Sequence, residues 1–363
     1  MKKLLFILFI IGAFACTKNQ GYKIEVNIEG AEGLLVLEKY ENGKTTIVDS
    51  AEVVNGVATF VGEVTIPENY YLGVKGSRSK ILLFVENSEI SVSGKIDSIA
   101  GVVVEGSATN DEYKVVSDQM GAIHEEYMGL YKQSQEANAL GDTAKAKEIM
   151  AQVEEVYKSA GKLQEDFVAN NPASFVTPLL LSQIVQGKSV EKMDSMLSVL
   201  DPKLEATASI KAIRERVEKL RKVAVGQIAP DFTQNDPEGN PINFSDVYSA
   251  NEYTLVDFWA AWCSPCRGEN PNVVAVYNDY NAKGFTVFGV SLDRSKEDWL
   301  KAIEDDGLTW QHVSDLSYWS NAAAKLYTIN SIPSNLLVDK TGKIIAKNLR
   351  EEALREKISE LLD

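Results

Sequence analysis

The chain has 363 residues, 45% of them apolar and 25% charged, with a formal net charge of −15. That length supports two or three domains with separate cores, and that composition excludes a disordered chain or a bundle of membrane helices. The acidic excess argues against a nucleic-acid partner, because phosphate binding draws on clustered Lys and Arg.

Residues 1–16 read as a basic start, an apolar run from Leu4 to Phe14, and then Ala15-Cys16. This is the pattern of a secretory signal, and the run is far short of the roughly 20 residues that cross a bilayer. A cysteine directly after such a run resembles the lipobox of bacterial lipoproteins, in which that cysteine is lipidated. Ala13 stands where the lipobox prefers leucine. The alternative is an ordinary cleaved signal with an incidental cysteine. Both imply a mature chain in the cell envelope, outside the cytoplasm; the lipobox reading adds a lipid tether to a membrane, facing the periplasm.

Residues 17–106 read as β. Tyr22, Ile24, Val26 and Ile28 alternate with polar residues, the period of a half-buried strand. Apolar runs follow at Leu34–Leu37, Thr45–Val48, Val57–Val61, Tyr70–Val74, Ile81–Val85 and Val102–Val104, divided by turn signals that include Asn42-Gly43 and Asn55-Gly56. A small antiparallel sandwich or barrel is expected. Its residues carry no catalytic pattern.

Residues 107–222 read as helical. Tyr113, Val116, Met120, Ile123, Tyr127 and Leu130 recur at helical spacing, and Ile149, Val153, Val156, Ala160, Leu163 and Phe167 repeat the pattern. Leu140-Gly141-Asp142 supplies the turn between them, with Asp142 as N-cap, so an antiparallel helix hairpin is expected. His124 lies beside the first stripe and reads as a partly buried packing residue.

Residues 223–363 alternate strand and helix: a strand over Tyr253–Trp259, a helix through Asn272–Ala282, a strand over Phe285–Leu292, helices at Ser295–Asp305 and Ala322–Tyr327, a hairpin of Ser334–Val338 and Ile344–Ala346, and a closing helix. This is an α/β domain with a mixed sheet. The expected fold class is thus multidomain: an antiparallel β domain, a helical middle and a C-terminal α/β domain.

Two of the three cysteines, Cys263 and Cys266, stand three positions apart where the Tyr253–Trp259 strand gives way to a helix. A helix begun there aims unpaired N–H groups and its positive dipole end at Cys263, which favours the thiolate. Cys263 is expected to be exposed, with Cys266 beneath it and within disulfide reach, and Pro265 stiffens the turn. Cys263 would attack a substrate disulfide and Cys266 would resolve the mixed disulfide. A structural zinc site needs four ligands, and beyond this pair the mature chain has no further cysteine and only two histidines, so zinc is disfavoured. Haem attachment needs histidine where Arg267 stands. No metal and no cofactor is expected.

The last stretch, with G-Q-I-A-P-D-F, V-D-F-W-A-A-W-C-S-P-C and Y-T-I-N-S-I-P-S-N-L-L-V-D-K-T-G-K-I, resembles the thioredoxin-fold, envelope-tethered thiol–disulfide oxidoreductases of the TlpA type. The resemblance implies a thioredoxin fold and a redox-active Cys263–Cys266 disulfide. It implies a cis-proline at Pro333, which also keeps metal from the thiols, and substrate contacts at Trp262, Pro265, Ile332 and Pro333. Asp257 matches the buried proton acceptor of thioredoxins, and Glu269 matches a functional glutamate three positions after the second cysteine; many members keep only one of the two. Pro271 matches a helix-kinking proline. The implied partners are protein disulfides as substrates and a membrane thiol as electron donor. A peroxiredoxin-type thiol peroxidase is the rival enzyme, but its threonine and proline are replaced by Ala260 and Val256. A binding lipoprotein that keeps the fold without redox function is the rival from another class.

Overall fold

The computed structural model describes residues 21–41 and 44–363. The leader, Cys16 and the Asn42-Gly43 turn lie outside the described residues. The chain divides into two compact units, one ending at Ile213 and the other spanning Arg214–Asp363.

In the first unit, eight strands form two four-stranded sheets. They are β1 (Tyr22–Glu29), β2 (Leu34–Glu41), β3 (Lys44–Glu52), β4 (Val57–Gly62), β5 (Glu68–Val74), β6 (Ile81–Val85), β7 (Glu89–Lys95) and β8 (Ser98–Glu105). The sheet orders are β4-β1-β7-β8 and β3-β2-β5-β6. Inward residues of both sheets, among them Ile24, Phe60 and Val92 from one and Leu37, Leu72 and Leu83 from the other, share one core. The pairing is antiparallel except between β1 and β7, which run parallel from Lys23↔Glu89 to Glu29↔Lys95. β7 is absent from the apolar runs of the sequence because only Ile90 and Val92 face inward; both are fully buried. Asn55 and Gly56 take φ of 53° and 81° in the turn before β4, a conformation that suits these two residues.

The helices follow as α1 (Ala108–Ala139), α2 (Thr143–Asn170), α3 (Thr177–Ile184), α4 (Val190–Ser198) and α5 (Ala208–Lys222). Asp142 caps α2 by accepting from the Lys145 amide at 3.0 Å. The α1–α2 hairpin closes over Ala137, Ala146, Ile149 and Val153, with Tyr127 and Leu130 against them. The sequence reading of His124 needs correction: it is exposed, one position past Ile123 and turned off the packed stripe.

In the second unit, the remaining elements are β9 (Thr233–Asn235), β10 (Pro241–Asn243), α6 (Phe244–Ser249), β11 (Tyr253–Trp259), α7 (Ser264–Tyr280), β12 (Phe285–Ser291), α8 (Lys296–Asp305), β13 (Gln311–Ser314), α9 (Ala322–Leu326), β14 (Ser334–Asp339), β15 (Ile344–Lys347) and α10 (Glu351–Leu362). One seven-stranded sheet has the order β10-β9-β13-β12-β11-β14-β15. β11, β12 and β13 are parallel, while β14 runs antiparallel to β11 and pairs with β15 as a hairpin. From Thr254 to Trp259 every residue of β11 is buried, as a continuous apolar strand covered on both faces should be. The register Phe258↔Ser334 brings the end of β11 and the start of β14 to the same edge of the sheet. The cysteine pair and the Ile332–Pro333 bond both lie at that end of the sheet.

Candidate active site

Cys263 is the N-cap of α7: its backbone is extended, and its sulfur accepts from the Cys266 amide at 3.2 Å. Cys263 and Cys266 form a disulfide, with their Cα atoms 5.2 Å apart. Pro265 occupies the first turn, where its missing N–H leaves no unpaired donor. The expected exposure of Cys263 is corrected here. It is 4% exposed and Cys266 1% exposed, because the capping sulfur folds back over the first turn and onto its partner.

The turn that presents the pair is pinned from below. Asp293, buried just after β12, accepts from the Ala261 amide through both carboxylate oxygens, at 3.2 and 3.0 Å, and from the Ser291 hydroxyl at 2.8 Å. Burial pushes its carboxyl up from the ordinary aspartate range. Arg267, the residue after Cys266, donates to the Asp306 carboxylate through Nε and Nη2, and Asn270 adds a 2.6 Å bond to the same group. α7 is thereby tied to the end of α8.

Across the same edge, the Ile332–Pro333 peptide bond is cis, immediately before β14. The segment after it is strapped to the turn between β15 and α10. Asn335, fully buried, donates to the Leu349 carbonyl at 2.7 Å and accepts from its amide at 2.9 Å. The Asn348 amide reaches the Asn335 carbonyl at 2.8 Å, and Ser334 donates to the Asn348 side chain at 3.0 Å. Arg350 Nη2 donates to the Pro333 carbonyl oxygen.

Asp257 is the one charge on β11, opposite Asn335 in the register and 8% exposed. Burial raises its carboxyl to about 7; the Arg350 charge holds it down in part, and the Glu269 charge pushes it up. Glu269 lies on α7, half-buried, where one carboxylate oxygen accepts from Asn272 Nδ2 and from the Glu351 amide, both at 2.8 Å. Asp257, Glu269 and Arg350 thus form one electrostatic group, with Glu269 three residues after Cys266 on α7. Trp262 stands on the outer side, 46% exposed, and Pro265 is exposed beside it.

The structure therefore gathers Cys263, Cys266, Asp257, Glu269, Trp262, Pro265, Ile332 and Pro333 at one end of one sheet; Cys16 lies outside the described residues. Arg350 and Asp293 were not anticipated. The signal for Asp293 was an acid directly after the apolar run of β12. Arg350, among the charges that open the last helix, offered none.

A dithiol in this setting can exchange with a disulfide, with a carboxyl that titrates near neutrality beside it. Residues 225–347 match the AhpC/TSA family, and residues 22–113 match a domain of unknown function (DUF4369). The thiol-disulfide oxidoreductase ResA of Geobacillus thermodenitrificans is 30% identical over 142 residues, covering 38% of this chain and 79% of that protein. The ResA of Geobacillus kaustophilus is 31% identical over 122 residues, covering 34% and 67%. Among solved structures, the thioredoxin domain of a thiol-disulfide oxidoreductase from Bacteroides vulgatus shares 41% identity over 39% of this chain and 99% of that one, with a TM-score of 0.36. The two ResA proteins, at 30% and 31% identity with 79% and 67% of their lengths covered, show that the chain belongs to the thioredoxin-like thiol–disulfide oxidoreductases of the ResA/TlpA type.

Proposed function

We propose that this oxidoreductase works outside the cytoplasm, tethered through a lipid on Cys16, as a reductant of protein disulfides. The observation that carries the reading is the Cys263–Cys266 pair at the N-terminus of α7 with the buried Asp257 behind it. In the reduced protein, the helix end stabilises a thiolate at Cys263. That thiolate attacks one sulfur of a substrate disulfide; a Cys263–substrate S–S bond forms as the substrate bond breaks, and the departing sulfur takes up a proton. Cys266 then gives its proton to the Asp257 carboxylate and attacks Cys263 Sγ, so that the internal disulfide forms and the second substrate sulfur leaves as a thiol. Two electrons pass from the dithiol to the substrate; of the two protons its thiols gain, one comes from Cys266 by way of Asp257 and the other from solvent, which took it when Cys263 ionised. A membrane thiol donor returns the electrons.

Glu269 and Arg350 tune the Asp257 carboxyl in opposite directions. Substrate polypeptide lies against Trp262 and Pro265 and pairs with the Ile332 backbone, which precedes Pro333 and the start of β14 and lies outside the ladders of β14 with β11 and β15. The peroxidase alternative has little to stand on, since Ala260 and Val256 are buried apolar residues with no group to hold a peroxide.

The reduction potential of the pair, measured with a titration of the Cys263 thiolate, tests the direction. A potential in the range of reducing thioredoxins, near −270 mV, is expected; a value near −120 mV, that of a dedicated oxidant, overturns it. A Cys266→Ala variant is expected to hold its substrates as mixed disulfides on Cys263.

A further inference from the structure

Beside the disulfide, Trp262 meets two further rings, those of Tyr318 and Trp319, that the exchange described above does not use. Trp262 is 46% exposed and Trp319 is 37% exposed. The Tyr318 ring centre lies 5.1 Å from that of Trp262, Trp319 lies 6.0 Å from Trp262, and Tyr318 and Trp319 are 5.9 Å apart. The Arg294 guanidinium sits over the Tyr318 ring, 4.1 Å from its centre, a cation–π contact. Three aromatic rings in mutual contact at the surface form a continuous patch, and such patches belong to recognition.

The segment that carries two of them is built against its local preference. Leu316 and Tyr318 hold positive φ, 53° and 55°, which is unfavourable for residues with a side chain. Asp315 imposes the shape. Its carboxylate accepts from the Ser317 amide at 3.0 Å, from Asn321 Nδ2 at 2.9 Å and from the Ala322 amide at 2.8 Å. Ser314 Oγ takes the Leu316 amide at 3.0 Å. The outcome of this strain and bonding is that Tyr318 and Trp319 meet Trp262 at the surface.

We propose that Tyr318 and Trp319 form a subsite for a large apolar side chain, aromatic above all, lying within about three residues of the half-cystine of a polypeptide substrate. The inference rests on the reductase reading above. Its occupant follows from continuity with the cysteine pair. A polypeptide whose sulfur reaches Cys263 runs over Trp262, the preceding residue, and an extended chain advances about 3.3 Å per residue, so one or two residues later it is above Tyr318 and Trp319. The subsite adds no electron or proton to the exchange; it selects which disulfide arrives.

Two peptides test it, each closed by one disulfide and differing only in Trp or Ser two residues from a half-cystine, with 2-hydroxyethyl disulfide as a reagent that lacks any side chain. The reduced full chain is expected to show kcat/KM about tenfold higher for the Trp peptide. The Tyr318→Asn, Trp319→Ser double variant is expected to bring that ratio below about twofold, and asparagine tolerates the left-handed backbone at 318. Tyr318→Phe with Trp319→Phe is expected to keep the ratio, which separates ring contact from damage to the loop. Equal rates on both peptides by a wild type that reduces 2-hydroxyethyl disulfide, or an undiminished ratio in the double variant, overturns the subsite and leaves the reductase standing. A wild type inert toward all three disulfides overturns the reductase reading and the subsite with it.

Discussion

Arg350 donates to the carbonyl oxygen of Pro333 while its charge stabilises the ionised form of Asp257, so one guanidinium serves both the peptide edge and the buried acid. Its removal therefore acts on two observables. In Arg350→Met the Asp257 carboxyl is expected to rise, moving the alkaline-activated limb of the exchange rate to higher pH and lowering the rate at pH 7 severalfold, by about three to ten times. Arg350→Lys restores the charge without the fork and is expected to recover the pH limb. A profile that falls in height without moving along the pH axis counts against the electrostatic role.

Glu269 is the opposite case. Its charge raises Asp257, and its carboxylate oxygen holds Asn272 and the Glu351 amide. Glu269→Gln keeps that acceptor and removes the charge, so the same limb is expected to move to lower pH with little change in thermal stability. A pH-rate series on the two variants side by side checks the opposition in sign.

Asp257 ties activity to stability. Its folded value of about 7 stands above the ordinary aspartate value near 3.9, so the folded protein holds the proton more tightly than the unfolded chain. The ionised buried carboxylate penalises the fold; the penalty is absent below about pH 4, grows as pH rises, and is complete above about pH 7, reaching at most on the order of 4 kcal/mol. Asp257→Asn is expected to match the wild type at pH 4 and exceed it in denaturant midpoint at pH 8. Exchange by the same variant is expected to drop by about a hundredfold at the resolving step, the scale of a lost proton acceptor.

His312 supplies the counter-slope. It is buried between the rings of Trp259 and Trp310, at 5.6 and 5.8 Å, and burial lowers its imidazole to about 3. Its folded value lies below the unfolded one, so stability is lost as pH falls from about 6.5 toward 3, by at most on the order of 5 kcal/mol. Between about pH 4 and 6.5 the Asp257 and His312 slopes oppose each other. Urea titrations of Asp257→Asn and His312→Gln are expected to reveal each limb alone. Gly289 leaves the room for this ring: a Cβ there would lie 2.3 Å from His312 Nδ1. Gly289→Ala is expected to cost about 1–3 kcal/mol by overpacking, read from the same titrations.

How far the sequence reaches can be judged residue by residue. Long patterns survive: the alternation of β1, the continuous apolar β11 and the stripe of α2 needed only local periodicity. Short elements fail, because β7 and β13 carry two or three inward residues each and owe their strand character to neighbours supplied from far along the chain. The helix start at the cysteine pair was legible in its immediate context, whereas the cis bond at Pro333 and the buried acid at Asp257 were expected through the family resemblance. Arg350 was not, since a surface-like arginine before a helix becomes part of the site only when the β15–α10 turn folds back onto the segment after Pro333. The burial of Cys263 was invisible for a related reason: a helix start suggests exposure, and only the capping bond and the bridge to Cys266 turn the sulfur inward.

That inward sulfur insulates the oxidised protein kinetically. Thiol–disulfide exchange needs an attacking thiolate to reach a sulfur, and the two sulfurs here belong to residues 4% and 1% exposed. Small thiols diffusing past find almost no target. A partner that docks and reshapes the first turn of α7 finds one. Reduction of the oxidised pair is therefore expected to be slow with small thiols and faster with a protein that opens the first turn of α7.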